Sequence, residues 1–221
     1  VHISNKTDLK VSLDSYLKQG MPFSLKNTGQ PQVLIVHTHA TEAFAPYAGD
    51  FCDLREDWRS QDNGENVVLL GEIMAQELEK AGIGVIHDET QHDYPSYNGS
   101  YERSAETIRG YLEEYPGIRV VIDLHRDAIE NPAGNLIRPV AQVDGKKAAQ
   151  VMLVMGSNTG NVKNYPDWEK NLSLAAKFQS RYEIMSAAEE AVSGMENVLK
   201  AYAEVLDFQT SHIAGAEGTV S

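Results

Sequence analysis

Two apolar runs of this chain finish on histidine. Val33–Glu42 reads VLIVHTHATE, and Val120–Asp127 reads VVIDLHRD. Runs of this kind are the signature of parallel strands buried on both faces. Ligands of open α/β sheets gather at the carboxyl ends of such strands. Two strand ends can therefore carry His39 and His125 to one place despite their separation in sequence. Imidazole is a common zinc ligand, and a hydrolytic zinc site uses three protein ligands plus a position open to water. His37 competes with His39, and the two share a direction only while the extended geometry lasts. His39 lies further past the strand end and is preferred. Glu42 either orients a ligand or contacts the water, or it is a solvated loop carboxylate.

A third, anionic ligand is expected between these strands. The segment RSQDNGENVV supplies Asp62 and Glu65 just before a helix. Capping and the helix dipole also favour acids there, and the pattern does not separate the two. Polar residues crowded around His125 are costly to bury without partners. Asp123 and Asp127 can receive the second imidazole N–H of a metal-bound His125; a structural salt-bridge cluster is the alternative. Arg126 either meets an anionic peptide or a developing oxyanion, or pairs with Asp127. His87 and His92 flank an acidic loop and read as groove-lining or plain packing residues. Tyr94, Tyr97 and Tyr101 form an aromatic patch suited to gripping a peptide or sugar, or to covering the sheet. Phosphate loops, GxSxG elbows, HExxH and CxxC pairs are absent.

The elements that must position these residues follow from periodicity. Strands are expected at Val33–His37, Ile83–His87, Ile118–Leu124 and Ala149–Met155. Val67, Leu70, Met74, Leu78 and Ala81 recur at helical spacing and stop at Gly82, which predicts a helix over Asn66–Lys80. Further helices are expected over Tyr101–Tyr115, Trp168–Phe178 and Ala187–Leu206. Residues 40–64 read as a long loop, a length that usually carries function. Strands alternating with helices predict a single α/β domain with a mostly parallel twisted sheet flanked by helices. Residues 1–32 read as an N-terminal lead-in, 33–208 as the catalytic domain and 209–221 as a flexible tail.

The net charge of -13 over 221 residues argues against nucleic acid, which needs clustered Lys and Arg. An anionic membrane surface is disfavoured for the same reason. Cys52 is alone, so no internal disulfide is available and a thiol nucleophile has no recognised partner. No apolar run approaches the ~20 residues of a bilayer span. With neither a starting Met nor a signal peptide, the sequence reads as a soluble domain excised from a chain whose targeting segment was left out.

VLIVHTHATEAF, RSQDNGENVVLLG, GIGVIHD, HDYPSYNGSYERS and YPGIRVVIDLHRDA together resemble the stage II sporulation protein P family, which is related to zinc N-acetylmuramoyl-L-alanine amidases of the amidase family 3 type. The resemblance covers roughly residues 1–180. It implies a peptidoglycan hydrolase that cuts the amide between N-acetylmuramic acid and L-alanine, with endopeptidase action as well. It further implies Zn2+ held by His39, His125 and an acidic residue of the pre-helix segment, Glu65 by analogy with the amidases or Asp62 by analogy with the sporulation group. The implied setting is forespore engulfment outside the cytoplasm, through a membrane anchor not in this chain. The implied partner is the lytic transglycosylase stage II sporulation protein D. The family places a catalytic Glu in a strand shortly before its last helix; here SRYEIMSAAEEAV occupies that region and is shortened on both sides of Glu183.

The expected activity is zinc-dependent amide hydrolysis, with Glu183 or Glu42 as acid/base and Arg126 and Tyr97 against the substrate. Two rival readings are a peptidoglycan-binding module with an incomplete acid/base, and a zinc carboxypeptidase.

Overall fold

The first apolar run forms strand β1 (Pro31–Val36), and it lies at the centre of a three-stranded parallel sheet. This computed structural model describes residues 4–21, 23–44, 58–134, 136–137, 139–143, 146–158 and 165–188. Strand β2 (Gly84–His87) flanks β1 on one side and β3 (Val120–Asp123) on the other. Val36 pairs with Asp123 and Ile35 with His87. All three strands therefore run out at the same edge, and the residues just beyond them become neighbours.

Alternation along β1 sorts its side chains between two cores. Val33 and Ile35 pack with Met74, Ala75 and Leu78 of helix α2 (Val67–Lys80), with Phe23 and Leu25, and with the partly buried Leu174 and Phe178 of helix α4 (Trp168–Ala188). Leu34 and Val36 pack on the other face against Ile108 of helix α3 (Ser100–Glu114). Helices cover both faces, so β1 can be apolar at every position from Val33 to Val36. Helix α2 starts at Asn66, whose side chain accepts from the Val68 N–H at 2.9 Å, a cap that satisfies one orphan donor. It stops at Gly82, which holds a left-handed φ of 81° that a residue with a Cβ adopts at a cost.

The segment read as a lead-in contributes to the core. Phe23 and Leu25 are buried, and the short helix α1 (Leu13–Lys18) packs on α4. There, Lys177 Nζ donates to the Tyr16 and Leu17 carbonyls.

The fourth expected strand is corrected. Two antiparallel hairpins follow β3. The first pairs β4 (Ile129–Glu130) with β5 (Leu136–Ile137); the second pairs β6 (Val140–Val143) with β7 (Lys146–Ala149). Residues 150–157 are not in a strand, and Val151, Met152 and Val154 are exposed. A run of five apolar residues signals a wish for burial, but periodicity does not identify which neighbour supplies it.

Helix α4 extends past the expected end at Phe178. It carries the backbone of Glu183 in a helix, where the family resemblance implied a strand; the side chains of residues 181–188 lie outside the described set. The remainder of the expected Ala187–Leu206 helix and the tail from 209 also fall outside the described residues. Among the described residues no helix is long and apolar enough to cross a membrane.

Candidate metal centre

The alternation that builds the core continues past β1 as far as Thr38, and a turn then separates the two histidines of the HTH motif. His37 stays on the α2 face, fully buried, with its Nδ1 3.1 Å from the Leu124 carbonyl. Thr38 points to the α3 face, where its hydroxyl meets Ser104 Oγ at 2.7 Å. The chain then turns: the Glu42 N–H donates to the His39 carbonyl at 3.0 Å. This turn folds Glu42 back beside His39.

His39, Glu42 and His125 form one group, each offering a ligand atom within 4.8 Å of the others. Both imidazoles present Nδ1 to Glu42, His39 at 3.6 Å from Oε1 and His125 at 3.6 Å from Oε2. Their rings lie 5.0 Å apart, nearly perpendicular. The far nitrogens are engaged with protein: His39 Nε2 lies 3.0 Å from Ser100 Oγ, and His125 Nε2 lies 2.9 Å from Asp123 Oδ2. Asp123 is fixed in turn by the Thr38 N–H at 2.8 Å and the Thr38 hydroxyl at 2.7 Å. A metal-binding imidazole ordinarily has its second nitrogen held in this way, which sets the tautomer. Two imidazole nitrogens and a carboxylate gathered at one place are a donor set that fits a zinc ion. The His125 side chain keeps 28% of its surface exposed while Glu42 keeps 10%, so the group opens to solvent on the His125 side.

Electrostatics support the same fit. Burial works against a charged His125, yet the hydrogen bond to Asp123 and the Glu42 carboxylate outweigh it and raise its pKa to about 9. Burial would lift the Glu42 carboxyl, but the bond to His125 and the Arg126 backbone N–H hold it below its ordinary value. His39 is lowered, chiefly by burial, with Glu42 opposing. Two carboxylates thus hold a proton on His125 that a divalent cation at Nδ1 would replace.

A pH dependence follows for the metal-free protein. A histidine whose folded pKa exceeds its unfolded value of about 6.5 adds stability that is complete below that pH and is lost as pH rises through about 9. The melting temperature of chelator-treated protein is expected to fall by several degrees between pH 6.5 and 9.5. The fall should be much smaller in His125→Gln; equal slopes in a calorimetric pH series would contradict the ion pair.

The other expected site residues are distributed as follows. Asp62 and Glu65 are exposed and stand outside the His39–Glu42–His125 group. Asp62 Oδ1 accepts from the Gly64 N–H at 2.8 Å, and Glu65 Oε2 from the Ser60 hydroxyl at 3.1 Å. They close the turn that leads into α2. Arg126 is committed to the scaffold: Nε donates to the Ala43 carbonyl at 3.1 Å and an Nη to the Trp58 carbonyl at 2.8 Å. It fastens the chain after β1 to the end of β3 rather than projecting over the group. Tyr97 stacks on His39 with ring centroids 4.5 Å apart, and Tyr101 meets the same ring edge-on at 5.2 Å. Both tyrosines remain about half exposed, so they wall the approach. His92 is buried, bonded to the His37 carbonyl and to Thr107 Oγ1 at 2.9 Å each, a packing role.

Two contributors are invisible in the sequence pattern. Arg59 lies 3.7 Å from Glu42 Oε1, 2.7 Å from Asp93 Oδ2 and 5.0 Å over the Tyr97 ring. Asp93, buried, also accepts from the Thr41 N–H and hydroxyl. Together they hold the turn that presents His39 and Glu42. Neither sits in a periodic segment, so only the folded chain reveals them.

Comparison with known proteins agrees with the motifs. No solved structure matches the chain. It is 26% identical over 165 residues to stage II sporulation protein P of Bacillus subtilis (strain 168), an alignment covering 72% of this chain. The chain spans 38% of the length of that relative. The family model for stage II sporulation protein P (SpoIIP) matches residues 4–185, most of the sequence and all three members of the His39–Glu42–His125 group, so this chain belongs to the stage II sporulation protein P family of sporulation proteins.

Proposed function

We propose that the chain is the hydrolytic domain of a peptidoglycan hydrolase, a zinc-dependent N-acetylmuramoyl-L-alanine amidase. The observation that carries this reading is the convergence of His39 Nδ1, His125 Nδ1 and the Glu42 carboxylate at the carboxyl edge of a parallel sheet. Zinc bound there would supply Lewis acidity toward the scissile carbonyl and the attacking water.

The residues of the chain then have separable tasks. His39 and His125 hold through Nδ1, and Asp123 keeps the His125 ring in place through Nε2. Glu42 supplies negative charge between the two rings and takes the ligand place that the resemblance assigned to Asp62 or Glu65. Tyr97 and Tyr101 offer exposed aromatic faces beside His39, suited to packing against a sugar ring or a stem peptide. Arg59, paired with Asp93 and Glu42, holds Tyr97 and the turn of His39 in place beside that surface. Glu183 is proposed as the group that accepts the proton of water and returns it to the departing amine. Action at the cell wall in forespore engulfment, beside stage II sporulation protein D and through an anchor elsewhere in the full protein, completes the reading.

The test is digestion of purified sacculi followed by mass spectrometry of the products. Amidase action leaves glycan strands stripped of stem peptides, with a new L-alanine amino terminus. Release of a single terminal amino acid would replace this reading with a carboxypeptidase. Wall binding without any product would replace it with a binding module.

A further inference from the structure

We infer that a second divalent-cation site lies one strand away, formed by His87 Nδ1 with the carboxylates of Glu72 and Glu89. Nothing in the hydrolase reading requires it. Ligand atoms of these three residues lie within 4.8 Å of one another. His87 is the last residue of β2, Glu72 comes from the first turns of α2, and Glu89 follows the strand. Two separate stretches of chain, the end of β2 and the start of α2, thus bring these ligand atoms to one point.

The hydrogen-bond chain behind His87 fixes which nitrogen faces that point. A carbonyl only accepts, so His37 Nδ1 carries the hydrogen it donates to Leu124. His37 is fully buried, which disfavours a second proton on the ring, and its Nε2 is therefore an acceptor. His87 Nε2, 2.9 Å away, must donate to it. A neutral His87 then has a bare Nδ1, and this atom faces Glu72 Oε2 at 3.5 Å. The His87 side chain is only 7% exposed, so its orientation is set by its surroundings.

The partners are prepared in the same way. Gln76 Nε2 donates to Glu72 Oε1 at 2.7 Å, which leaves Oε2 directed at His87. Asn63 Nδ2 lies 3.4 Å from Glu89 Oε2. Gly71 makes the arrangement sterically possible: a Cβ there would stand 2.4 Å from His87 Nε2 and 2.5 Å from His37 Nε2. The helix backbone closes directly onto the histidine pair and sets Glu72 beside it. Three acceptor atoms without a hydrogen between them need either a proton or a cation. One imidazole with carboxylates suits a first-row divalent ion such as Zn2+ or Mn2+.

The test uses the full chain stripped of metal, dialysed against buffered micromolar Zn2+, with bound metal counted by mass spectrometry. Two equivalents are expected for the native sequence. The double variant Glu72→Gln, Glu89→Gln is expected to retain one, with affinity for the second weakened at least about tenfold, as losing ligand or supporting groups does elsewhere. Both positions are at the surface edge of the fold, and unchanged metal-free melting of the variant confirms that its structure is kept. His125→Ala removes the other equivalent, so the two sites fail independently. A native chain that binds one equivalent, lost in His125→Ala, overturns the second site. Two equivalents that survive Glu72→Gln, Glu89→Gln overturn it as well.

Discussion

Replacing His125 by alanine is expected to abolish amide hydrolysis, with a loss of at least about 1,000-fold in rate, equivalent to ~4 kcal/mol of barrier. The same variant should fail to retain zinc through gel filtration. His125 meets Glu42 through one nitrogen and Asp123 through the other. Its removal takes away a ligand atom and leaves the two carboxylates without the positive charge between them. His39→Ala should act alike, because its ring occupies the opposite side of Glu42 and stacks on Tyr97. Melting curves separate a chemical loss from an unfolded protein: both rings lie beyond the strand ends and outside the two apolar cores. Near-native hydrolysis by either variant would dismiss the centre.

The second large effect concerns the acidic ligand. Glu42→Gln is expected to lower zinc affinity by at least about 100-fold and to reduce hydrolysis in step, since it removes the charge that both Nδ1 atoms face. Asp62→Asn and Glu65→Gln should stay within about tenfold of the native chain, because their carboxylates serve the turn before α2. The three substitutions are nearly isosteric, so competition against a chromophoric chelator compares ligand identity directly. If Glu65→Gln or Asp62→Asn loses the metal while Glu42→Gln keeps it, the resemblance was the better guide and the ligand set must be redrawn.

The sheet was legible because its central strand is buried on both faces and its two neighbours are apolar runs at least half-buried beside it. A strand in that position has no polar side to disguise it, and β1, β2 and β3 fall within a few residues of expectation. Helices α2 and α3 were legible for the complementary reason, a single apolar face at helical spacing. The run at 151–155 was apolar enough to suggest a strand, but pairing is a property of neighbours and is not encoded in five residues. The site was harder to read. His39 and His125 stand out because imidazoles at the ends of apolar runs are conspicuous. Glu42 was a candidate beside them, as acid/base or as a group orienting a ligand, but a solvated loop carboxylate looks the same in sequence, and only the turn between residues 39 and 42 brings it inward. Asp62 and Glu65 attracted attention by standing before a helix, and that same position gave them local turn donors. Arg126 looked available beside His125, yet two backbone carbonyls occupy its guanidinium. Arg59 and Asp93 gave no signal, because a cross-loop ion pair depends on the path of both loops.

Asp123 belongs to β3 but holds the first residues beyond β1 through Thr38 and the imidazole of His125 through its other contact. The two rings are therefore referenced to strand register and not to the excursions that leave it. The hairpins β4–β5 and β6–β7 follow β3 beyond this clamp. Insertions or deletions in these hairpins leave the contacts that place His39 and His125 untouched, so this part of the chain can vary while the pair keeps its alignment.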